Sequence, residues 1–126
     1  MTRINCIPVE DLVGQHLIAE YRELPRVFGL VRKAILRGEK PNLNSVYTLG
    51  TGHVKFFYSR LMYLRNRHKE LVKEMQNRGY SPNFTDDLKE FNSDIPNEWW
   101  NDWTPSVFAM HINLDRINER LKEMNK

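Results

Sequence analysis

The sequence predicts an all-α fold: a compact single domain over residues 1–126, with three main helices and long loops. In three separate segments, apolar residues recur at three- and four-residue spacing, which is the pattern of an amphipathic helix. The stretches between these segments are rich in Gly, Pro, Asn and Ser and show no period, which is typical of loops. A chain of 126 residues is also long enough to bury a hydrophobic core without disulfides or metals.

The first helix is predicted over residues 11–37, from an acidic start to a stop at Gly38. Its buried stripe is formed by Leu17, Tyr21, Leu24, Phe28 and Val31. Pro25 lies inside this pattern and has no N–H group for the helix ladder. We therefore expect a kink over residues 21–25.

The second helix is predicted over residues 54–78 and the third over residues 107–124. The second has a basic face that we expect to be solvated: Lys55, Arg60, Arg65, Arg67, Lys69, Lys73 and Arg78. The third has a narrow apolar seam: Val107, Met110, Leu114, Ile117, Leu121 and Met124. Residues 39–52 and 80–105 are predicted loops, the latter with one helical turn near residues 86–91 and three tryptophans, Trp99, Trp100 and Trp103.

Several functional classes are disfavoured by the composition. A single cysteine, Cys6, rules out an internal disulfide and fits a reducing compartment. The N-terminus lacks the apolar stretch of a signal peptide, and no apolar run is long enough for a membrane span, so we expect a cytoplasmic protein. The four histidines are scattered without metal-ligand spacing, and no glycine-rich phosphate loop is present, so no metal or cofactor is predicted.

Charge is distributed unevenly along the chain. The first 80 residues contain 14 Lys and Arg against 7 Asp and Glu, whereas the last 46 contain 5 against 9. A polarised field of this kind can turn one basic face toward a polyanion such as nucleic acid. It is equally compatible with an ordinary solvated surface.

One face of the first predicted helix combines a carboxylate with basic side chains. Helical geometry places His16, Arg22, Glu23 and Arg26 on the side opposite the apolar stripe. One interpretation is a surface ion pair between Glu23 and Arg26. The other is that the arginines bind phosphates while the carboxylate takes part in chemistry beside them.

Several runs of residues resemble the pyrimidine-dimer DNA glycosylase/AP lyase family, the endonuclease V enzymes of T-even phages. The similarity is strongest in the unbroken run AEYRELPRVFG at residues 19–29. The other runs are MTRIN at 1–5, QHL at 15–17, VRK at 31–33, GHV at 52–54, FFY at 56–58 and SDIP at 93–96.

The resemblance implies a compact helical enzyme that excises ultraviolet photoproducts without a cofactor. Its nucleophile would be the α-amine of Thr2, exposed by removal of Met1, which the small Thr2 side chain permits. An α-amine has a pKa of about 7.7–8.0, so more of it is neutral near pH 7 than of a lysine amine. Glu23 would be the catalytic carboxylate, and His16 would lie beside the nucleophile. Strand cleavage would follow by β-elimination from a Schiff base.

By the same resemblance, basic residues would contact double-stranded DNA that contains photoproducts or abasic sites, and the enzyme would be a monomer. The candidates are Arg3, His16, Arg22, Arg26, Lys33, Arg116 and Arg120. The best-known family member continues into an aromatic tail, whereas this sequence stops at Lys126. Three alternatives therefore stay open: an AP lyase or a glycosylase for another damaged base, a non-catalytic DNA-bending protein, or a plain helical interaction module.

Overall fold

The computed structural model describes residues 3–124, and within them the chain is all-α, which confirms the predicted fold class. The α-helices are α1 (Gly14–Glu23), α2 (Arg26–Leu36), α3 (His53–Phe56), α4 (Leu61–Asn77), α5 (Leu88–Phe91) and α6 (Val107–Met124). Short 3-10 turns are found at Val9–Asp11, Phe57–Ser59 and Asn97–Trp99. The predicted loops at residues 39–52 and 80–105 are confirmed, with α5 as the expected helical turn.

The first predicted helix is in fact two helices, α1 and α2, which meet at Leu24 and Pro25. Because Pro25 has no N–H to donate, the series of backbone hydrogen bonds along the helix is interrupted there. The Val27 amide instead donates to the carbonyl three residues back, at Leu24, over 3.2 Å. The backbone of Leu24 and Pro25 stays in the right-handed helical region, so the expected kink is found as a two-residue interruption between α1 and α2. The helix also starts at Gly14 rather than at residue 11, since the chain forms the turn Val9–Asp11 first.

The second predicted helix is interrupted at Arg60, whose backbone leaves the helical region between the turn Phe57–Ser59 and α4. The Arg60 guanidinium donates to the carbonyl oxygens of Phe56 at 2.7 Å and of Leu43 at 3.1 Å. Arg60 therefore ties the loop at residues 39–52 to the helical core. The expectation that this basic face is solvated is wrong for Arg60 and Arg67, which are both buried.

Helix α6 buries the predicted seam only in part: Ile117 is buried, and Met110 and Leu121 pack against the core. Val107 is 81% exposed and Leu114 is 43% exposed, although both were assigned to the seam. The buried positions are Ala109, Asn113 and Ile117. Asn113, a polar residue outside the predicted seam, is buried because it makes hydrogen bonds in the interior that an apolar pattern does not reveal.

The core lies between α1, α2, α4 and the loop tryptophans. Phe28 on α2 packs against Trp100 with ring centroids 5.6 Å apart, and Trp103 packs against Tyr47 and Phe56. Trp99 and Trp100 are buried, so they anchor the long loop to the helices. None of the helices within residues 3–124 has the length and apolar character to cross a membrane. Nor does any group of three His, Cys, Asp or Glu in this part of the chain have a metal-binding arrangement.

Candidate active site

The N-terminal segment, residues 3–7, is non-helical, and side chains from several helices hold its backbone. The Arg3 amide donates to Glu23 Oε2 on α1 at 3.3 Å. The Ile4 amide donates to His53 Nε2 on α3 at 2.9 Å. A chain end without such partners is ordinarily poorly ordered, so these contacts fix a part of the molecule that would otherwise fray.

Helices α4 and α6 hold the other side of the N-terminal segment. Asn113 Oδ1 on α6 accepts from the Cys6 amide at 2.8 Å. The Tyr63 hydroxyl donates to the Asn5 carbonyl at 3.2 Å, and Arg67 Nη1 donates to the Ile7 carbonyl at 2.6 Å. The position of the N-terminal segment is therefore set by four helices at once.

A pocket of about 120 Å³ opens beside the N-terminal segment, between α1 and α6. Its walls are formed by Arg3, Asn5, His16, Ala19, Glu20, Glu23, Arg116, Ile117 and Arg120. Each of the two helices lines the pocket with one face, because residues three and four apart lie on the same side of a helix. These residues are 16, 19, 20 and 23 on α1 and 116, 117 and 120 on α6.

The two glutamates of the pocket have different surroundings. Glu20 is 1% exposed, and its carboxylate accepts from Arg67 Nε at 2.7 Å, from Arg67 Nη2 at 3.1 Å and from Asn5 Nδ2 at 2.8 Å. Its charge is neutralised and its acceptor sites are occupied. Glu23 is partly exposed, and among the described residues its carboxylate accepts a hydrogen bond from the Arg3 amide. Glu23 is therefore the carboxylate with lone pairs available to a bound molecule.

The rest of the pocket is basic. Burial lowers the pKa of Arg3, and the nearby guanidinium groups of Arg120 and Arg116 lower it further. Burial also lowers the pKa of His16, with Arg120 and Arg3 adding to the effect. Among residues 3–124, Arg3 Nη1 and His16 Nδ1 are buried without a hydrogen-bond partner. Crowded positive charges and unpaired nitrogen atoms are the features that an anion such as a phosphate would satisfy.

The structure brings together five of the residues that the sequence predicts for the site: Arg3, His16, Glu23, Arg116 and Arg120. Arg22 lies in a different, more apolar pocket with Tyr21 and Phe84. Arg26 and Lys33 are exposed on α2 and do not line the pocket around Glu23. Thr2 lies outside the described residues.

The residues that sequence reasoning missed form a buried polar network behind the pocket. Asn113 Nδ2 donates to Asn5 Oδ1 at 2.9 Å, and Asn5 in turn donates to Glu20, which is bound by Arg67. His53 completes the network on the other side of the N-terminal segment. Periodicity gave no signal for these residues, because an amphipathic pattern assigns polar side chains to the surface.

Comparison with protein families gives a match that covers more than half of the chain. The family model described as pyrimidine dimer DNA glycosylase matches residues 1–88. The matched region contains the N-terminal segment, α1 and α4, and hence Glu20, Glu23 and Arg67. Helix α6, with Asn113, Arg116 and Arg120, lies beyond it.

Proposed function

The chain belongs to the pyrimidine dimer DNA glycosylase family, and on that premise we propose that it is bifunctional, with both glycosylase and AP lyase activity. The substrate would be double-stranded DNA that contains a cyclobutane pyrimidine dimer or an abasic site. The nucleophile would be the α-amine of Thr2 after removal of Met1. The enzyme would act as a monomer in the cytoplasm.

The proposed glycosylase step begins when the neutral Thr2 amine attacks C1′ of the 5′ nucleotide of the dimer. The C1′–N1 bond breaks, its electron pair goes to the pyrimidine, and that base takes up a proton. The nitrogen then loses one proton, and its lone pair forms a C=N bond to C1′ as the C1′–O4′ bond breaks. O4′ takes up a proton, which leaves a protonated imine between Thr2 and C1′.

The proposed lyase step follows from the imine. A proton leaves C2′, its electron pair forms the C2′–C3′ double bond, and the C3′–O bond breaks with the 3′ phosphate as the leaving group. Water then hydrolyses the imine and restores the amine. Glu23 would stabilise positive charge on the sugar and transfer these protons.

One observation carries this proposal: the Arg3 amide donates to Glu23 Oε2 at 3.3 Å inside a pocket lined by arginines. The amine of the preceding residue is three covalent bonds from that amide nitrogen, so the two nitrogens are at most about 4.3 Å apart. An amine nucleophile at residue 2 would therefore be tethered close to the free carboxylate. Arg3, Arg116, Arg120 and His16 would bind the phosphates around the reacting sugar.

Borohydride trapping tests the proposal. The chain, shown by mass spectrometry to begin at Thr2, is incubated with an irradiated dimer-containing duplex and, separately, with an abasic duplex. We expect a covalent adduct with both. Glu23→Gln should abolish adduct formation with the dimer, whereas the control Glu98→Gln, an exposed glutamate away from the pocket, should leave it intact.

Each other outcome points to a different function. An adduct with the abasic duplex alone would reduce the activity to AP lyase or to a glycosylase for another base. Tight binding without any adduct would indicate a non-catalytic DNA-bending protein. Full activity of Glu23→Gln would remove Glu23 from the mechanism while leaving the imine chemistry in place.

Arg22, Arg26 and Lys33 stay proposed DNA contacts outside the pocket. All three are exposed, so their replacement by alanine should leave the fold unchanged. If they bind phosphates, each variant should flatten the slope of log affinity against log salt concentration by about 0.9. An unchanged slope would assign that residue to ordinary surface charge.

A further inference from the structure

We propose that His53 is a positioning residue for the reaction: it holds the N-terminal segment in the register that directs the chain's amine toward Glu23. This inference rests on the proposed function, since it takes the amine of Thr2 as the nucleophile. It concerns a residue on α3 that does not line the pocket.

The hydrogen bonds of the His53 ring define its protonation state. The Thr48 carbonyl oxygen lies 3.0 Å from Nδ1 and can only accept, so Nδ1 carries a proton. The Ile4 amide lies 2.9 Å from Nε2 and can only donate, so Nε2 must present a lone pair. His53 is thus neutral, with both nitrogens engaged. Burial lowers the pKa of His53 and favours this neutral form, although the Thr48 contact acts in the opposite direction.

The ring has little freedom to move. His53 is 1% exposed, and its ring forms T-shaped contacts with Tyr47 and Phe57 at centroid distances of 5.7 and 5.6 Å. The preceding residue, Gly52, has a φ of 88°, a left-handed conformation that turns the chain into α3 and directs the ring inward. Nε2 is therefore a fixed acceptor rather than one that follows the movement of the N-terminal segment.

The position of the contact along the chain gives it an effect on chemistry. Ile4 follows Arg3, whose amide is bound to Glu23, so the two hydrogen bonds hold consecutive peptide units. Loss of the His53 acceptor would leave the buried Ile4 amide without that partner and would allow Arg3 to move away from Glu23. A shift of about 1 Å in a reacting group can cost about 100-fold in rate while binding elsewhere is retained.

The test separates rate from binding in the full chain. The rate constant of borohydride trapping is measured at saturating abasic duplex, and affinity is measured with a duplex that contains a stable tetrahydrofuran analogue of the abasic site. Three variants are compared with the wild type: His53→Leu, His53→Gln and the control His111→Gln, an exposed histidine on α6. Leucine removes the acceptor, whereas the glutamine side chain still offers one.

We expect His53→Leu to slow trapping by about 10- to 100-fold with unchanged affinity for the analogue duplex. His53→Gln should recover most of the rate, and His111→Gln should match the wild type. Trapping by His53→Leu at the wild-type rate would overturn the positioning role and leave the proposed function intact. If the wild type itself forms no adduct, the proposed function fails and this role fails with it.

A measurement on the unaltered protein keeps the inference testable if His53→Leu does not fold. In ¹⁵N spectra, His53 should be the neutral tautomer with a proton on Nδ1, and the Ile4 amide should be protected from hydrogen exchange. A proton on Nε2, or rapid exchange at Ile4, would overturn the inference, because either result is incompatible with the hydrogen bond on which it depends.

Discussion

Replacement of Glu20 by glutamine should destabilise the fold, although this change removes only one charge and keeps the shape of the side chain. Glu20 Oε1 accepts from Asn5 Nδ2 at 2.8 Å and from Arg67 Nη2 at 3.1 Å, while Oε2 accepts from Arg67 Nε at 2.7 Å. A glutamine NH₂ at either position would face a donor from Arg67. The substitution therefore creates a donor–donor contact as well as an unpaired buried cation.

The magnitude follows from the burial of the pair. The side chains of Arg67 and Glu20 are 4% and 1% exposed, so solvent cannot replace the lost partner. Removal of one member of such a buried ion pair typically costs about 3–5 kcal/mol. A domain of this size has a free energy of unfolding of about 5–15 kcal/mol, so the loss is a large part of the total. With a urea m-value of about 2 kcal/mol/M, the unfolding midpoint should fall by about 2 M.

Urea unfolding followed by circular dichroism measures this effect, and the chain offers a matched control. Arg32 and Asp94 form a similar two-bond ion pair, with both contacts at 2.8 Å, but their side chains are 39% and 60% exposed. Asp94→Asn should therefore cost less than about 1 kcal/mol. A midpoint for Glu20→Gln equal to that of Asp94→Asn would show that burial of the Glu20 pair does not set its contribution, and the reasoning would be wrong.

Three further predictions concern charge, pH and thiol chemistry. Arg120→Gln should weaken binding to an abasic-analogue duplex and flatten the slope of log affinity against log salt concentration by about 0.9. Lys122→Gln, on α6 but outside the pocket wall, should have a smaller effect. Equal effects of the two variants in a salt titration would argue against the pocket as the phosphate site. Burial lowers the pKa of three histidines: His16, His53 and His68. Because the unfolded chain binds protons more readily at these positions, the free energy of unfolding should be highest above a pH of about 6.5 and should fall as the pH decreases toward 5. Urea unfolding measured across that range tests this, and a free energy of unfolding that does not change with pH would mean that the histidines are accessible to solvent. Burial raises the pKa of Cys6 to about 11, so iodoacetamide should label it slowly in the native protein and readily in urea, and equal labelling rates would contradict its burial.

The apolar periodicity of the sequence predicted the helices well. Buried residues such as Leu17, Leu64 and Leu71 have apolar neighbours three or four positions away, and this spacing is visible in the sequence alone. The same local rule predicted Glu23 on a polar face with His16, and the structure places both in one pocket. The helix breaks were less predictable. Pro25 gave a clear signal, whereas the break at Arg60 depends on hydrogen bonds to the loop at residues 39–52.

The buried polar network could not be predicted from local pattern for a physical reason. Arg67 was assigned to a solvated face because arginine is rarely buried without a partner. Its partner, Glu20, is 47 positions away in the sequence, and Asn113 is 107 positions from the Cys6 amide that it binds. Periodicity reports only whether a side chain is apolar, so it cannot reveal a distant group of complementary charge or hydrogen-bonding capacity. The burial of Asn113 on α6, outside the predicted apolar seam, has the same origin.

Helix α6 completes the site even though the family match ends at residue 88. Asn113 holds the Cys6 amide and the Asn5 side chain, and Arg116 and Arg120, one and two turns further along, line the pocket with Glu23. Because these contacts use the same face of one rigid helix, a movement of α6 would displace the N-terminal segment and the arginines together. Glu20, Arg67 and Asn113 have their hydrogen-bonding capacity committed to the protein, whereas Glu23 accepts from the Arg3 amide through one oxygen and Arg3 Nη1 has no hydrogen-bond partner among the described residues. Because Glu20 takes the donors of Arg67 and Asn5, the Glu23 carboxylate does not have to neutralise that buried guanidinium as well.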